Sequence, residues 1–143
     1  MKILDILRHK GSSVVTIRPH EAVRVLLARL AEYNVGALVV ADGDQVAGII
    51  SERDIVRNLN DRGEQILDQP VSELMTSSVV SCSPTDDVDS VAAGMTELRI
   101  RHMPVLDKGI LAGIVTIGDV VAGRIRQLEQ DRGQLEQYIT QGR

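Results

Sequence analysis

The sequence predicts an α/β (α+β) fold of two pseudo-symmetric β-α-β-β-α repeats packed through their sheets, with a C-terminal amphipathic helix. Three observations point there. A segment recurs without a gap 65 residues further on, both copies share one order of apolar patterns, and the hairpin strands are too apolar for one copy to cover both their faces.

The repeat is visible when 14–23 (VVTIRPHEAV) is set over 79–88 (VVSCSPTDDV): Val14, Val15, Pro19 and Val23 fall on Val79, Val80, Pro84 and Val88. The same offset brings Asp42 onto Asp107, Ala47-Gly48-Ile49 onto Ala112-Gly113-Ile114, and Asp54 onto Asp119. Each copy opens on a short β-branched run, Val14–Ile17 or Val79–Cys82, that stops before a proline and reads as a strand. A helix follows, with Val23, Leu26, Leu27, Leu30 and Ala31, or Val88, Val91, Ala92 and Met95, at helical spacing.

A hairpin comes next in each copy. Ala37–Ala41 and Val46–Ile50 flank Asp42-Gly43-Asp44, and Met103–Leu106 and Ile110–Val115 flank Asp107-Lys108-Gly109. A second helix closes each copy, from about Glu52 and from about Ile117. The polar stretch 60–69, ending at Pro70, reads as the connection, with a short helix over 71–75. Val121, Ile125, Leu128, Leu135 and Ile139 continue as an amphipathic tail suited to its own domain or to a second chain. We therefore divide the chain into a first repeat with its N-terminal segment (1–62), a linker and second repeat (63–122), and a helical tail (123–143).

A 143-residue chain with 43% hydrophobic and 25% charged residues has the composition of a globular protein, and two halves of this size gain from a shared structure. The net charge of −4 argues against a nucleic-acid surface, whose affinity comes from counterion release by Lys and Arg. The absence of Phe and Trp argues against single-strand binding by base stacking. No apolar run suits a signal peptide or a membrane span, and the single Cys82 agrees with a reducing compartment, so the expected location is cytoplasmic. Cys82 stands where copy one has Ile17, so the fold asks there only for an apolar residue.

The strongest motif is Gly48-Ile49-Ile50-Ser51-Glu52-Arg53-Asp54, which recurs as Gly113-Ile114-Val115-Thr116-Ile117-Gly118-Asp119. A strand ends in a hydroxyl residue followed three positions later by Asp, which is the pattern of a helix capping box. The same geometry also suits a nucleotide, because free N–H groups at a helix start attract phosphate and a carboxylate accepts hydrogen bonds from a ribose diol. Arg53, a cation in the first helical turn, points to a nearby anion.

These two ungapped motifs, with Arg101-His102-Met103-Pro104-Val105 before the second hairpin, resemble tandem cystathionine-β-synthase (CBS) domains, the stand-alone Bateman module. The resemblance spans roughly 14–122 and implies a non-catalytic sensor of adenine nucleotides, with no catalytic cofactor. AMP is the first expectation, with ADP, ATP, NAD(H) and S-adenosylmethionine as alternatives. It implies Asp54 and Asp119 for ribose, Ser51 and Thr116 for phosphate, and Arg53, Arg101 and His102 for phosphate charge. Pro104 belongs to the same cleft-lining strand. Thr16, Val35 and Ala37 in copy one, and Ser81, Ile100 and Met103 in copy two, are suited to walls for the adenine.

Arg101 and His102 stand where copy one has Gly36 and Ala37, so the two sites are expected to differ, with copy two the better monophosphate site. A homodimer and a regulated partner protein are implied, and no membrane. Two other readings stay open at this point: an interaction module whose Ser/Thr-x-x-Asp elements are only caps, and a nucleic-acid-binding regulator.

Overall fold

The computed structural model describes residues 1–141. Helix α1 (Ile3–Lys10) leads into β1 (Thr16–Ile17), α2 (Val23–Tyr33), the hairpin β2 (Ala37–Asp42) and β3 (Gln45–Ser51), and α3 (Glu52–Arg62). Two 3₁₀ turns, Glu64–Asp68 and Val71–Glu73, connect to α4 (Val88–Leu98), the hairpin β4 (His102–Asp107) and β5 (Ile110–Thr116), and α5 (Ile117–Gln141). This is the mixed α/β repeat architecture expected from the sequence.

The two hairpins are near copies. Val39 pairs with Ile49 as Pro104 pairs with Ile114, and both ladders slip at the same place, Val40/Ala41 and Val105/Leu106. A repeated bulge of this kind adds local twist at one point in each hairpin. The helices before them end alike as well, on Asn34 and Arg99, both in the left-handed conformation at φ of 51° and 55°.

The opening strands are shorter than the β-branched runs suggest. Copy one keeps Thr16 and Ile17, parallel to Val39 and Val40, and copy two keeps only a parallel bridge from Cys82 to Val105. The valines before them lie in loops. The connection is also shorter than 60–69, because α3 continues to Arg62 and ends at Gly63, whose φ of 79° suits glycine. The C-terminal helix is continuous with the helix that closes copy two, running unbroken through Arg132 and Gly133.

Each copy has its own core, and each core is completed by the segment that precedes the other copy. Ile66, Val71 and Leu74 from the connection are buried with Ile17, Leu26, Leu38 and Ile50 of copy one. Ile3, Ile6 and Leu7 of α1 are buried with Val91, Met95, Val105 and Val115 of copy two. The N-terminal segment, grouped with the first repeat by chain order, thus packs in the second core.

Matching hydrogen bonds fix both crossings. Ile3 and Leu4 N–H donate to Asp86 and Pro84 carbonyls, each at 2.9 Å, as Val71 and Ser72 N–H donate to Glu21 and Pro19 carbonyls at 2.9 and 3.1 Å. Glycine in the following strand makes room for the crossing chain. A Cβ at Gly113 would lie 2.7 Å from Leu7 Cδ2, and one at Gly48 would lie 2.6 Å from Met75 Sδ and 2.8 Å from the Thr76 carbonyl oxygen.

The two glycines should therefore differ in tolerance. Leu7 can rotate its methyl groups away, whereas the Thr76 carbonyl is backbone. Gly48→Ala is expected to lower the unfolding free energy by about 1–3 kcal/mol and Gly113→Ala by less, as read from urea titrations. Equal losses would show that backbone contact is not what distinguishes the two crossings.

Candidate functional site

The ends of β3 and β5 deliver the same cap to the helices that follow. Ser51 N–H donates to Asp54 Oδ2 at 2.9 Å and Asp54 N–H reaches Ser51 Oγ at 3.4 Å. Thr116 N–H donates to Asp119 Oδ2 at 2.8 Å and Asp119 N–H reaches Thr116 Oγ1 at 3.1 Å. The capping box is realised in both copies. It uses one carboxylate oxygen, Oδ2, and in Asp54 the other, Oδ1, accepts no hydrogen bond among the described residues.

The crossed segments decide what faces these caps. A cleft of about 440 Å³ opens over Ser51, Arg53 and Asp54, and its opposite side comes from copy two: Thr76, Ser78 and Val80 before the bridge at Cys82, and 98–102 between α4 and β4. That volume lies within the usual range for a small-molecule site. Arg53, Arg57, Arg99 and Arg101 all line it, and among the described residues none of the four makes an ion pair. Its apolar wall includes Ala37, Ile49, Val80, Leu98 and Ile100, of which Val80 and Leu98 are substantially exposed.

His102 sits at the inner end of this cleft. A Cβ at Gly36 would lie 3.4 Å from its ring, so the two residues are in contact across the copies. Burial pushes its imidazole below the usual histidine range, with Glu52 and Asp119 opposing and Arg101 and Lys10 adding to the shift. It is therefore neutral at pH 7 in the unliganded protein.

The structure regroups the residues singled out in the sequence. Arg101 and His102 line the cleft over Ser51 and Asp54 from the other copy, and they also border Thr116, with which His102 pairs in the β4–β5 ladder, while the Arg101 carbonyl accepts the Ile117 N–H at 2.9 Å. Ala37 and Ile100 join them. Thr16 lies in a separate recess with Ile17, Glu21 and Arg29, where its carbonyl accepts Arg29 Nη1–H at 3.1 Å. Met103 and Pro104 are buried in β4, Met103 as part of the second core. Val35 and Ser81 are exposed and do not line the 440 Å³ cleft.

Around Asp119 the setting is different. Lys10 Nζ donates to Asp119 Oδ2 at 2.7 Å and to the Ile114 carbonyl at 3.0 Å. Burial raises the Asp119 carboxyl, but the Lys10 ammonium and the Thr116 donors outweigh it and hold the group below its ordinary value. Cys82 is buried and its thiol is pushed up to about 11 by that burial, which keeps it protonated and unreactive at neutral pH. No helix among the described residues is long and apolar enough to cross a membrane.

Sequence reasoning missed Thr76, Ser78, Val80, Leu98, Arg99 and Arg57. Arg57 was accessible to it, lying one helical turn after Arg53 on the same face of α3. Arg99 was marked only by its backbone, since arginine is an uncommon residue for a left-handed helix end.

Comparison with known proteins agrees with the duplicated architecture. The family profile described as "CBS domain" matches residues 5–61 and again 71–125. A CBS domain-containing mitochondrial protein of Arabidopsis thaliana is 34% identical over 150 aligned positions, covering 98% of this chain and 72% of that protein. The crystal structure of a CBS-domain containing protein from Agrobacterium tumefaciens superposes with a TM-score of 0.84 at 40% identity, covering 87% of this chain and 99% of that one. A CBS domain protein from Pyrobaculum aerophilum complexed with AMP superposes with a TM-score of 0.75 at 27% identity, covering 83% of this chain and 89% of that one.

The left-handed Arg99 gives a stability test that needs no ligand. Only glycine adopts this conformation without a Cβ clash, so Arg99→Gly is expected to raise the unfolding free energy by up to about 1 kcal/mol. A loss of stability in thermal or urea melts would mean that the arginine side chain holds the loop.

Proposed function

The chain belongs to the CBS-domain family, and from that premise we propose that it is a non-catalytic sensor that binds an adenine nucleotide in the cleft between Ser51–Asp54 and 98–102. AMP is the first choice of ligand, with ADP, ATP and NAD(H) as alternatives. The observation that carries this reading is the convergence of Arg53, Arg57, Arg99 and Arg101, all without an ion-pair partner among the described residues, on a cleft that contains a helix start and a carboxylate.

Each part of the nucleotide has a counterpart there. Asp54 Oδ1 takes the ribose hydroxyls while Oδ2 keeps the cap. The Ser51 hydroxyl and the first N–H groups of α3 take phosphate oxygens, and the arginines neutralise phosphate charge. Adenine lies against Val80, Leu98, Ile100 and Ala37, an aliphatic slot in a chain that has no Phe or Trp. The AMP complex of the Pyrobaculum protein, which shares the fold at 27% identity, supports the ligand class.

The protein acts as a regulatory module, in the cytoplasm, through a homodimer and a regulated partner protein. Support for the dimer comes from α5, where Val121, Ile125, Leu128, Leu135 and Ile139 are each about half exposed at alternating spacings of four, three, seven and four. Those spacings, interrupted once at Arg132, suit a helix that pairs with a second copy of the chain. A ligand shifts such an assembly only by binding one of its states more tightly than the other.

Two measurements test the site. Saturating AMP is expected to stabilise the wild type by about 2.7 kcal/mol at 100 times its dissociation constant, and Asp54→Ala or Arg101→Ala to weaken calorimetric binding at least tenfold. Unchanged binding in both variants would refute the assignment. AMP affinity is also expected to rise as pH falls from 8 to 6, because phosphate favours the charged form of His102, whose ordinary value of 6.5 is lowered by burial in the free protein. Stability without ligand should move the opposite way, since a group whose folded value is depressed loses its contribution as pH falls below 6.5. His102→Asn should flatten both trends.

A further inference from the structure

Helix α5 outlasts the domain it closes. Val120 and Gly123 on it are buried, Gly123 close to Met1 and Ile6, and Arg124 pairs with Asp89 at 3.3 Å. Beyond Gln127 that cover stops: from Leu128 to Gln141 every residue except Gly133 is exposed. Among the described residues, the side-chain bonds of this stretch stay within the helix, Gln127 to Asp131, Arg132 to Glu136 and Thr140 to the Glu136 carbonyl. A helix of this length standing in water gains little from propensity alone, and Gly133 weakens it further.

The apolar stripe on α5 has a regular register. Val121, Leu128 and Leu135 follow one another at intervals of seven, and so do Ile125, Arg132 and Ile139, which makes them the alternate inner positions of a heptad with Arg132 as the polar member. On a helix that turns about 100° per residue, the stripe centres on Val121, about 100° round from the buried Val120. It therefore faces sideways, past the domain.

That sideways position decides between the two ways in which a second copy can meet it. A two-fold axis along the helix pair makes the helices parallel and sends the two domains to opposite sides. An axis across the pair makes them antiparallel and puts both domains on the same side. The stripe then pairs Val121 with Ile139, Ile125 with Leu135 and Leu128 with Arg132, which sets the Val120–Gly123 anchors of the two domains about 25 Å apart along the helices. A domain of this size is about 35 Å across, so the parallel arrangement is the one that leaves room. Charge agrees. Parallel pairing brings Arg124, in its exposed pair with Asp89, near the partner's Glu129 and brings Arg132 near the partner's Asp131. Asp131 and the partner's Glu136 are alike in charge, with Arg132, bound to its own Glu136 at 3.1 Å, between them. Antiparallel pairing would instead set Glu129 and Asp131 each against its own counterpart.

We propose that α5 pairs with α5 of a second copy of this chain in parallel and in register, with the two domains on opposite sides of the helix pair. The inference rests on the homodimer given above and adds to it the helix, the direction and the register. Arg132 facing its own counterpart keeps the pairing weak, since a polar side chain at such a position holds register at a cost in stability.

Disulfide trapping on the full chain tests the direction, because Cys82 is buried and leaves an introduced thiol as the accessible one. Ile139→Cys is expected to give a covalent dimer under mild oxidation, and Gln137→Cys, on the opposite face of the helix, is not. In an antiparallel pair the two thiols of Ile139→Cys would lie roughly 27 Å apart and stay reduced. Sedimentation equilibrium is expected to show a dimer whose dissociation constant rises at least tenfold in Leu135→Asp and falls at least tenfold in Arg132→Leu, with thermal melts reporting that each variant is folded. A dimer that Leu135→Asp leaves intact, or one in which Ile139→Cys is trapped no better than Gln137→Cys, would overturn the proposal while the homodimer stands. A wild type that stays monomeric at every concentration would overturn the homodimer itself and leave the stripe to a different protein.

Discussion

The arrangement depends on one constraint: each core is closed by the chain segment that precedes the other copy. Leu7 lies against Gly113 and Met75 against Gly48, and either glycine with a side chain would push the crossing segment away. Neither copy can therefore be built alone with its core intact, which answers the problem that units of about 60 residues bury too little surface. The crossing also has a positional consequence. The chain leaving Met75 passes over the start of α3 before it enters copy two, so Thr76, Ser78 and Val80 face Ser51 and Asp54 across a cleft. The chain leaving Leu7 passes over the start of α5, and Lys10 reaches Asp119.

Symmetry of the frame makes differences in side chain decisive. Both helix starts carry the same hydroxyl and the same carboxylate, bonded in the same way to the same backbone groups. What separates them is charge. Arg53, Arg57, Arg99 and Arg101 line the cleft over the first, and Lys10 is ion-paired with Asp119 at the second. A duplicated fold can thus keep its packing rules in both halves while its two helix starts differ in charge, because packing depends on glycines and apolar positions and the charges sit on residues that packing leaves free to vary.

Much of this was legible in the sequence, for reasons that can be named. The hairpins, their glycine-bearing turns and both capping boxes follow from local chemistry repeated at one offset. The crossing was not, because an amphipathic helix such as α1 shows that it has an apolar face without showing which core receives it. That gap hid one face of Arg101 and His102: the repeat pattern places them next to Thr116 in copy two, and only the packing shows that they also lie opposite Ser51 and Asp54. Lys10 was invisible for a related reason. A basic residue in the last turn of a helix is favourable by the helix dipole alone and invites no further explanation.

Hydrogen exchange on the full chain, with and without saturating AMP, asks which of the two helix starts receives the ligand. The result expected is new protection over 51–54, 76–80 and 98–102, with 116–119 and 33–37 unchanged. Protection centred on 116–119 and 33–37, with 51–54 unaffected, would contradict the assignment of the nucleotide to the arginine-lined cleft.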